Sequence, residues 1–421
     1  MLALILLLCL ASDLHLTIKY GGVDLRDKIV GTRGLLNGTS MYFDTWRPGM
    51  PEELADPMVP PGYDLTRFTG SPFQALIMAP FAPLPYPFTR ILWTFIQYGL
   101  LLWSALILYG SLGRNDPRAL TFTIGAVAVF AVTTAWRLHV ERGQVYVIHT
   151  LLVALMYFSV IRGKHILTGA AGAALCLIKP TFALLLLPLL FAFDRRMIAG
   201  GLSMIIPVAA IFSILPAGWH SWSEYAEAMR IYVEAPVYAA DVPETPRPFE
   251  YPPLIEGASN LADHHTMEAE NSSITILLMH LGSPLPTQLP PAIVLLITGS
   301  IFLFGWKRLR YLTPADLLLL GFLLTTISMM LAPALRFSYQ FVLWLPSLLY
   351  LLLVKKHPAW WYIALATSGL LITGGLELLP IGALLAEVIL LGLAATYLWT
   401  ISSERRASRT SAPDPSATYS M

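Results

Sequence analysis

Charge is scarce in this chain. Only 13% of its 421 residues are Asp, Glu, Lys or Arg, where a soluble globular domain carries about a quarter. With 56% hydrophobic residues and a mean hydropathy of +0.64, a water-soluble fold is excluded and an all-α polytopic membrane protein is expected. The net charge of +1 leaves no basic surplus with which to hold a nucleic-acid backbone. Cysteine is nearly absent as well. Cys9 and Cys176 lie in separate apolar runs and read as small buried hydrophobes, so neither a disulfide framework nor a cysteine metal centre is expected. No P-loop, dinucleotide fingerprint, Gly-x-Ser-x-Gly or His-Glu-x-x-His occurs. No internal repeat is visible either, which argues against a transporter built from duplicated halves. The apolar run Leu2 to Leu10 has no basic flank and no small-x-small cleavage site before Asp13. It reads as a retained first helix.

What is present is a long series of apolar runs. A spanning helix needs about 20 such residues, or about 17 with snorkelling flanks. Twelve candidates meet or approach this: 2–18, 88–110, 119–136, 144–161, 165–178, 180–193, 198–215, 290–306, 313–333, 340–354, 359–375 and 380–401. The pair at 165–193 is short on both sides of Lys179-Pro180, and reads either as two thin spans or as one broken span. Under this count Arg114/Arg118, Arg162/Lys164, Arg195/Arg196, Lys307/Arg308/Arg310, Lys355/Lys356 and Arg405/Arg406/Arg409 all fall on one face. Short basic loops mark the cytoplasmic face, so both termini are expected there, in a plasma membrane of the bacterial inner-membrane type. Residues 1–401 form one expected transmembrane domain, and 402–421 a Ser/Pro/Arg-rich disordered tail.

The other face receives two long segments, 19–87 and 216–289, and loops of that length between spans usually carry function. Phe73 to Pro85 is too short to cross and reads as re-entrant or interfacial. Trp219 to Val237 mixes aromatics and charges at helical spacing, as expected of a helix lying along the membrane surface. Asp241 to Pro253 is proline-rich and expected to be extended.

Several residues in these places carry chemistry. Asp24 and Asp27 lie three apart just beyond the first run and share a helical face. They are either an acid-rich helix start or a pair from which one carboxylate, preferably Asp24, acts as general base on a hydroxyl. Lys179 sits between two apolar runs, where an ammonium is costly unless it snorkels or pairs, so it is a candidate ligand for a donor phosphate. Arg137 and Arg142 have guanidinium forks suited to phosphate oxygens, and Arg336 is either a further wall of that pocket or a snorkelling arginine. Gln144 is a hydrogen-bond partner for a sugar; His139, Asn271 and Tyr339 complete the expected sugar- or acceptor-binding set. His264 and His265, with Asp263 and Glu268, show no ligand spacing, so no metal site is expected. Asn37-Gly38-Thr39 and Asn271-Ser272-Ser273 match the glycosylation tripeptide, a weak signal by itself.

The order of these elements resembles glycosyltransferase family 87, of the GT-C superfamily of polytopic enzymes. The resemblance rests on Asp24-Leu25, Gly34-Leu35-Leu36-Asn37-Gly38-Thr39-x-x-Tyr42, Phe68-Thr69-x-x-Pro72-Phe73, Ala79-Pro80, Gly143-Gln144-Val145, Ile178-Lys179-Pro180-Thr181, Asn271-Ser272-Ser273 and Ala332-Pro333. It runs from about residue 20 to about 350. Two elements depart from the pattern: Gly70-Ser71-Pro72 stands where the family has Tyr-Pro-Pro, and Arg336-Phe337-Ser338-Tyr339 lacks the histidine of a Trp-x-His. The resemblance implies a GT-C-like bundle of about twelve helices with two long extracytoplasmic loops. It also implies an inverting, mannosyltransferase-like activity drawing on a polyprenyl-phosphate sugar, with a lipid-linked or cell-envelope glycan as acceptor and neither metal nor nucleotide sugar required. Asp24 stands at the position of the family's catalytic acid. The competing readings are a secondary transporter, or a polymerase or ligase of lipid-linked polysaccharide.

Overall fold

Nearly every apolar run in the sequence becomes a helix, and the breaks between helices decide the architecture. The computed structural model describes residues 1–20, 22–43, 52–54, 57, 68–113, 117–234, 273–283, 285–286, 288–332, 336–372 and 381–410. Among them the chain is all-helical. The helices are α1 (Leu2–Tyr20), α2 (Val23–Asn37), α3 (Pro72–Met78), α4 (Tyr86–Leu108), α5 (Pro117–Ala131), α6 (Thr134–Arg142), α7 (Tyr146–Ile161), α8 (His165–Ile178) and α9 (Ala183–Leu186). There follow α10 (Arg195–Ile214), α11 (His220–Glu234), α12 (Ile274–His280), α13 (Leu289–Leu309), α14 (Pro314–Leu331), α15 (Trp344–Val354), α16 (Ala359–Ile372) and α17 (Gly382–Thr410).

Six of the described helices are long and apolar enough to cross a membrane: Leu2–Lys19, Tyr86–Gly113, Arg195–Ile214, Leu289–Leu309, Pro314–Leu331 and Gly382–Ser408. A seventh requires α5 and α6 to count as one span, although the chain turns by 69° between them. The expected count of twelve is therefore not matched by helix length. The run 119–136 is interrupted because Thr133 is extended and its hydroxyl oxygen accepts the amide N–H of Trp136, starting a new helix. Likewise α8 stops at Lys179, whose backbone is extended ahead of Pro180, as the residue before a proline tends to be. Beyond it the chain continues through short helical turns to Ala192, so 165–193 is two shorter apolar stretches rather than one unbroken helix. The last helix runs on to Thr410, past residue 402, where composition predicts the tail to begin. Asp241 to Pro253 lies outside the described residues.

Burial separates inner from outer helices. In α14, 83% of the apolar window is enclosed, against 11% in α13 and 17% in α10. Leu295, Leu303 and Phe304 on α13 point outward, as lipid-facing side chains do, since acyl tails are as apolar as leucine. Where α8 meets α10 the backbones touch. A Cβ on Gly200 would overlap the carbonyl of Ile166, and one on Gly169 would overlap that of Met197. Small residues permit this close approach between membrane helices.

Hydrogen bonds sort the loops into two groups. Arg162 reaches the carbonyl of Gly110 at 2.7 Å, Arg405 reaches that of Tyr311 at 3.2 Å, and Lys355 pairs with Glu404 at 2.5 Å. The loop at 110 thus meets that at 162, the loops at 311 and 355 meet the last helix, and the packing of α15 on residues 109–113 brings the two sets together. At the opposite end Tyr86 donates to the carbonyl of Gly22 at 2.7 Å, Arg33 to that of Ala82 at 2.9 Å, and Ser273 to that of Ala332 at 2.9 Å. The 18 residues of α14 connect the two ends and, at 1.5 Å per residue, hold them about 27 Å apart.

Candidate active site

The second end of the bundle gathers most of the residues singled out in the sequence. Asp24 lies in the first turn of α2, which begins after Gly22 in the left-handed conformation and ends with Gly38 in the same conformation, its N–H returned to Gly34. That Gly-capped stop is a common way to satisfy helix-terminal carbonyls. Against α2 packs the turn between α6 and α7. Gly143 sits there at φ +69°, and a Cβ on it would come within 2.5 Å of the Leu25 Cβ. Glycine is needed twice over, for the backbone sign and for the approach. The same turn is held from α4 by Trp93, whose Nε1 donates to the Gln144 carbonyl at 3.3 Å.

The consequence is a set of polar contacts on one carboxylate oxygen. Gln144 Nε2 donates to Asp24 Oδ2, and Arg142 Nη1 lies 3.7 Å from the same atom. All three side chains are largely enclosed, so the pairing is less screened by water than at a free surface. Lys28, one turn on and buried, donates to the Asp24 backbone carbonyl at 2.6 Å. Asp27 shares the face of Asp24, as its spacing predicts, and has Arg26 at 3.9 Å.

From Arg142 a wall of aromatic rings leads across the site. Its guanidinium carbon lies 5.1 Å from the Phe337 ring centroid and 5.9 Å from that of Tyr339, within cation–π range. Tyr339 packs on Tyr146 at 5.8 Å, and Lys179 Nζ lies 5.3 Å from the Tyr146 centroid and 3.5 Å from its hydroxyl. Asp24, Arg142, Gln144, Tyr339 and Lys179, up to 315 residues apart in sequence (339 − 24), thus belong to one continuous constellation. A carboxylate stands at one end and an ammonium at the other.

Three expected residues are placed differently. Arg137 lies five positions from Arg142 on α6, about 140° around the helix at 3.6 residues per turn, and faces α1, with Asp13 at 3.8 Å. His139 is fully buried: its ring stacks on Trp136 and its Nε2 accepts the Val147 N–H at 3.2 Å. It forms the support beneath the turn rather than its surface. Arg336 is enclosed with Glu387 of α17 as an ion pair, and Trp344 Nε1 donates to that carboxylate at 2.9 Å. Asn271 lies outside the described residues.

Tyr146, Trp93 and Lys28 join the site without having been expected. Tyr146 follows Gln144 by two residues and Lys28 belongs to the charged cluster of Asp24 and Asp27, so the neighbourhood was a signal for both; Trp93 carries no pattern that would mark it. Three or more His, Cys, Asp or Glu side chains arranged to hold a metal ion do not occur among the described residues.

Comparison with known proteins places part of the chain. Residues 68–246 match the family model of glycosyltransferase family 87. The match implies a glycosyltransferase, and with the apolar helices it describes one that acts in a membrane on a sugar donor and an acceptor. No curated protein and no solved structure matches significantly. The family 87 match is narrower than the span of about 20 to 350 over which the motifs follow one another. It contains Arg142, Gln144, Tyr146 and Lys179, but not Asp24, Arg336 or Tyr339.

Proposed function

We propose that this chain transfers a hexose, mannose in our reading, from a polyprenyl-phosphate donor to a hydroxyl of a lipid-linked or cell-envelope glycan, at the extracytoplasmic face of the membrane. One observation carries the reading. Asp24 lies outside the family-matched segment, yet its carboxylate is gripped by Gln144 and approached by Arg142 from within that segment. A carboxylate oriented by a fixed amide and a nearby cation is placed for general base catalysis.

In this reading the acceptor hydroxyl gives its proton to Oδ1 of Asp24, because Gln144 and Arg142 make their contacts to Oδ2. The hydroxyl oxygen then attacks the anomeric carbon. As that bond forms, the bond from the anomeric carbon to the phosphate oxygen breaks. Its electron pair remains on polyprenyl phosphate, and the configuration inverts. Arg142 and Lys179 offset the charge that develops on the departing phosphate, and the rings of Tyr339, Phe337 and Tyr146 pack between them and hold the two cations in place. Asp27, next on the same face, is the second acid of the site. Arg137, His139 and Arg336 act as supports, and Asn271 remains a candidate acceptor contact. No step in this scheme requires a metal.

The test uses the full chain in liposomes supplied with labelled polyprenyl-phosphate mannose, with other polyprenyl-phosphate sugars as comparisons. The wild type transfers label to an added glycan acceptor. Asp24→Asn lowers the rate by about 10²–10⁴-fold, the usual contribution of a positioned acid or base, while expression and elution are unchanged. Full activity in Asp24→Asn removes Asp24 from the role of base. Absence of transfer from every lipid-phosphate sugar removes the proposed donor class.

A further inference from the structure

The end of the bundle opposite Asp24 carries a cavity of its own. It measures about 370 Å³ and is lined by Arg308, Ser402, Ser403, Arg406 and Ala407, between the end of α13 and the last turns of α17. It lies near the start of α14, the full length of that helix from the site described above, and nothing in the proposed transfer reaction uses it.

We propose that this cavity binds the phosphate-bearing headgroup of an anionic phospholipid. Three observations support this. First, two arginines from different helices converge on one concave, polar space, and a guanidinium fork matches phosphate oxygens. Second, among the described residues two acids near the cavity have cations of their own. Glu404 is paired with Lys355 at 2.5 Å, and buried Asp316 with Arg405 at 2.5 Å, alongside the hydroxyls of Thr313, Tyr350 and Tyr397. Neither acid is among the residues that line the cavity. Third, it opens where the lipid-facing surface begins. The Arg308 guanidinium stacks 3.6 Å over the ring of Trp399, and Trp399, Trp306, Phe304 and Leu303 are all exposed. Tryptophan at that level marks the membrane interface. A headgroup in the cavity would leave its acyl chains against this apolar face, which a free phosphate ion has no means to use. Basic recesses between membrane helices are suited to anionic headgroups for this reason.

The experiment places the purified full chain in nanodiscs of phosphatidylcholine with a minor fraction of phosphatidylglycerol, extracts it gently, and measures retained lipid by native mass spectrometry. The wild type retains phosphatidylglycerol in preference to phosphatidylcholine, and millimolar inorganic phosphate does not displace it. Arg308→Gln/Arg406→Gln weakens retention by about 25-fold, from roughly fivefold for each charge near the surface. Ser403→Glu, which keeps both arginines but places an acid in the cavity, also weakens it, so the inference stays testable if the double variant does not fold. Equal retention of the two lipids, or unchanged retention in both variants, overturns the proposal. Displacement by inorganic phosphate identifies a free-anion site and overturns the lipid assignment. Sugar transfer at the far end is read separately and does not bear on this outcome.

Discussion

Removing the carboxylate of Glu387 would take the ion-pair acid from a guanidinium inside the protein, because Arg336 and Glu387 are both enclosed. Breaking a buried pair from one side costs about 3–5 kcal/mol, whereas replacing both members by apolar residues of similar size is often close to neutral. Glu387→Ala is therefore expected to be strongly destabilised, and Glu387→Met/Arg336→Met less so than either single change. Unfolding in mixed micelles measures both. Lys179 makes a different prediction. Its ammonium rests on Tyr146 at the far end of the site from Asp24, so Lys179→Ala should raise the apparent KM for the lipid donor by about tenfold or more, the worth of a hydrogen bond to a charged group. An unchanged KM would remove Lys179 from donor binding. These residues differed in legibility. Lys179 stands out because an ionisable group between apolar runs is conspicuous. Glu387 does not, since one acid in a long apolar helix gives no sign of its partner.

Among the elements, the turn between α6 and α7 controls the site. Gly143 brings that turn onto α2 and so delivers Arg142 and Gln144 to Asp24. Gly143→Ala meets both the left-handed backbone and the Leu25 side chain. A non-glycine residue there costs roughly 1–2 kcal/mol in backbone strain alone. Transfer is expected to fall more than stability does, because Gln144 and Arg142 shift away from the carboxylate; initial rates and melting temperatures of the same preparation separate the two effects. The element boundaries explain where span counting ran ahead of the fold. Hydropathy sees 119–136 and 165–193 as apolar, but Thr133 and Pro180 interrupt the helices through backbone chemistry that hydropathy ignores. The helical reading of Trp219 to Val237 was legible for the opposite reason: aromatic and charged residues alternate there at helical spacing, and α11 covers 220–234.

For the molecule as a whole, the two groups of touching loops give a topology that can be measured. Asn37 is exposed beside the proposed active site, and Lys164 and Ser408 are exposed at the other end. Single cysteines at these positions, with Cys9 and Cys176 replaced by serine, should divide two against one with a membrane-impermeant maleimide on sealed vesicles. Lys164→Cys and Ser408→Cys label together and Asn37→Cys oppositely. Joint labelling of Asn37→Cys and Ser408→Cys would contradict the separation of the two ends by α14. The clustering of basic residues was readable in advance because charge next to an apolar run has few places to go. Contacts such as Arg405 with Asp316, 89 residues apart, were not, since nothing local specifies them.

Composition and the spacing of apolar runs settled that the chain is helical and belongs in a membrane, because an exposed backbone in lipid has few other ways to satisfy its hydrogen bonds. Motif order pointed to the family, and the family match over 68–246 bears it out. The tertiary structure decided which of the marked residues meet. It set Asp24 beside Gln144 and Arg142, joined them through aromatic rings to Lys179, and turned Arg137, His139 and Arg336 to other partners. Helix propensity and hydropathy act over a few residues, whereas the meeting of α2, α4, α7 and the segment 336–343 depends on how whole helices pack, and a single chain read in order carries no local record of that.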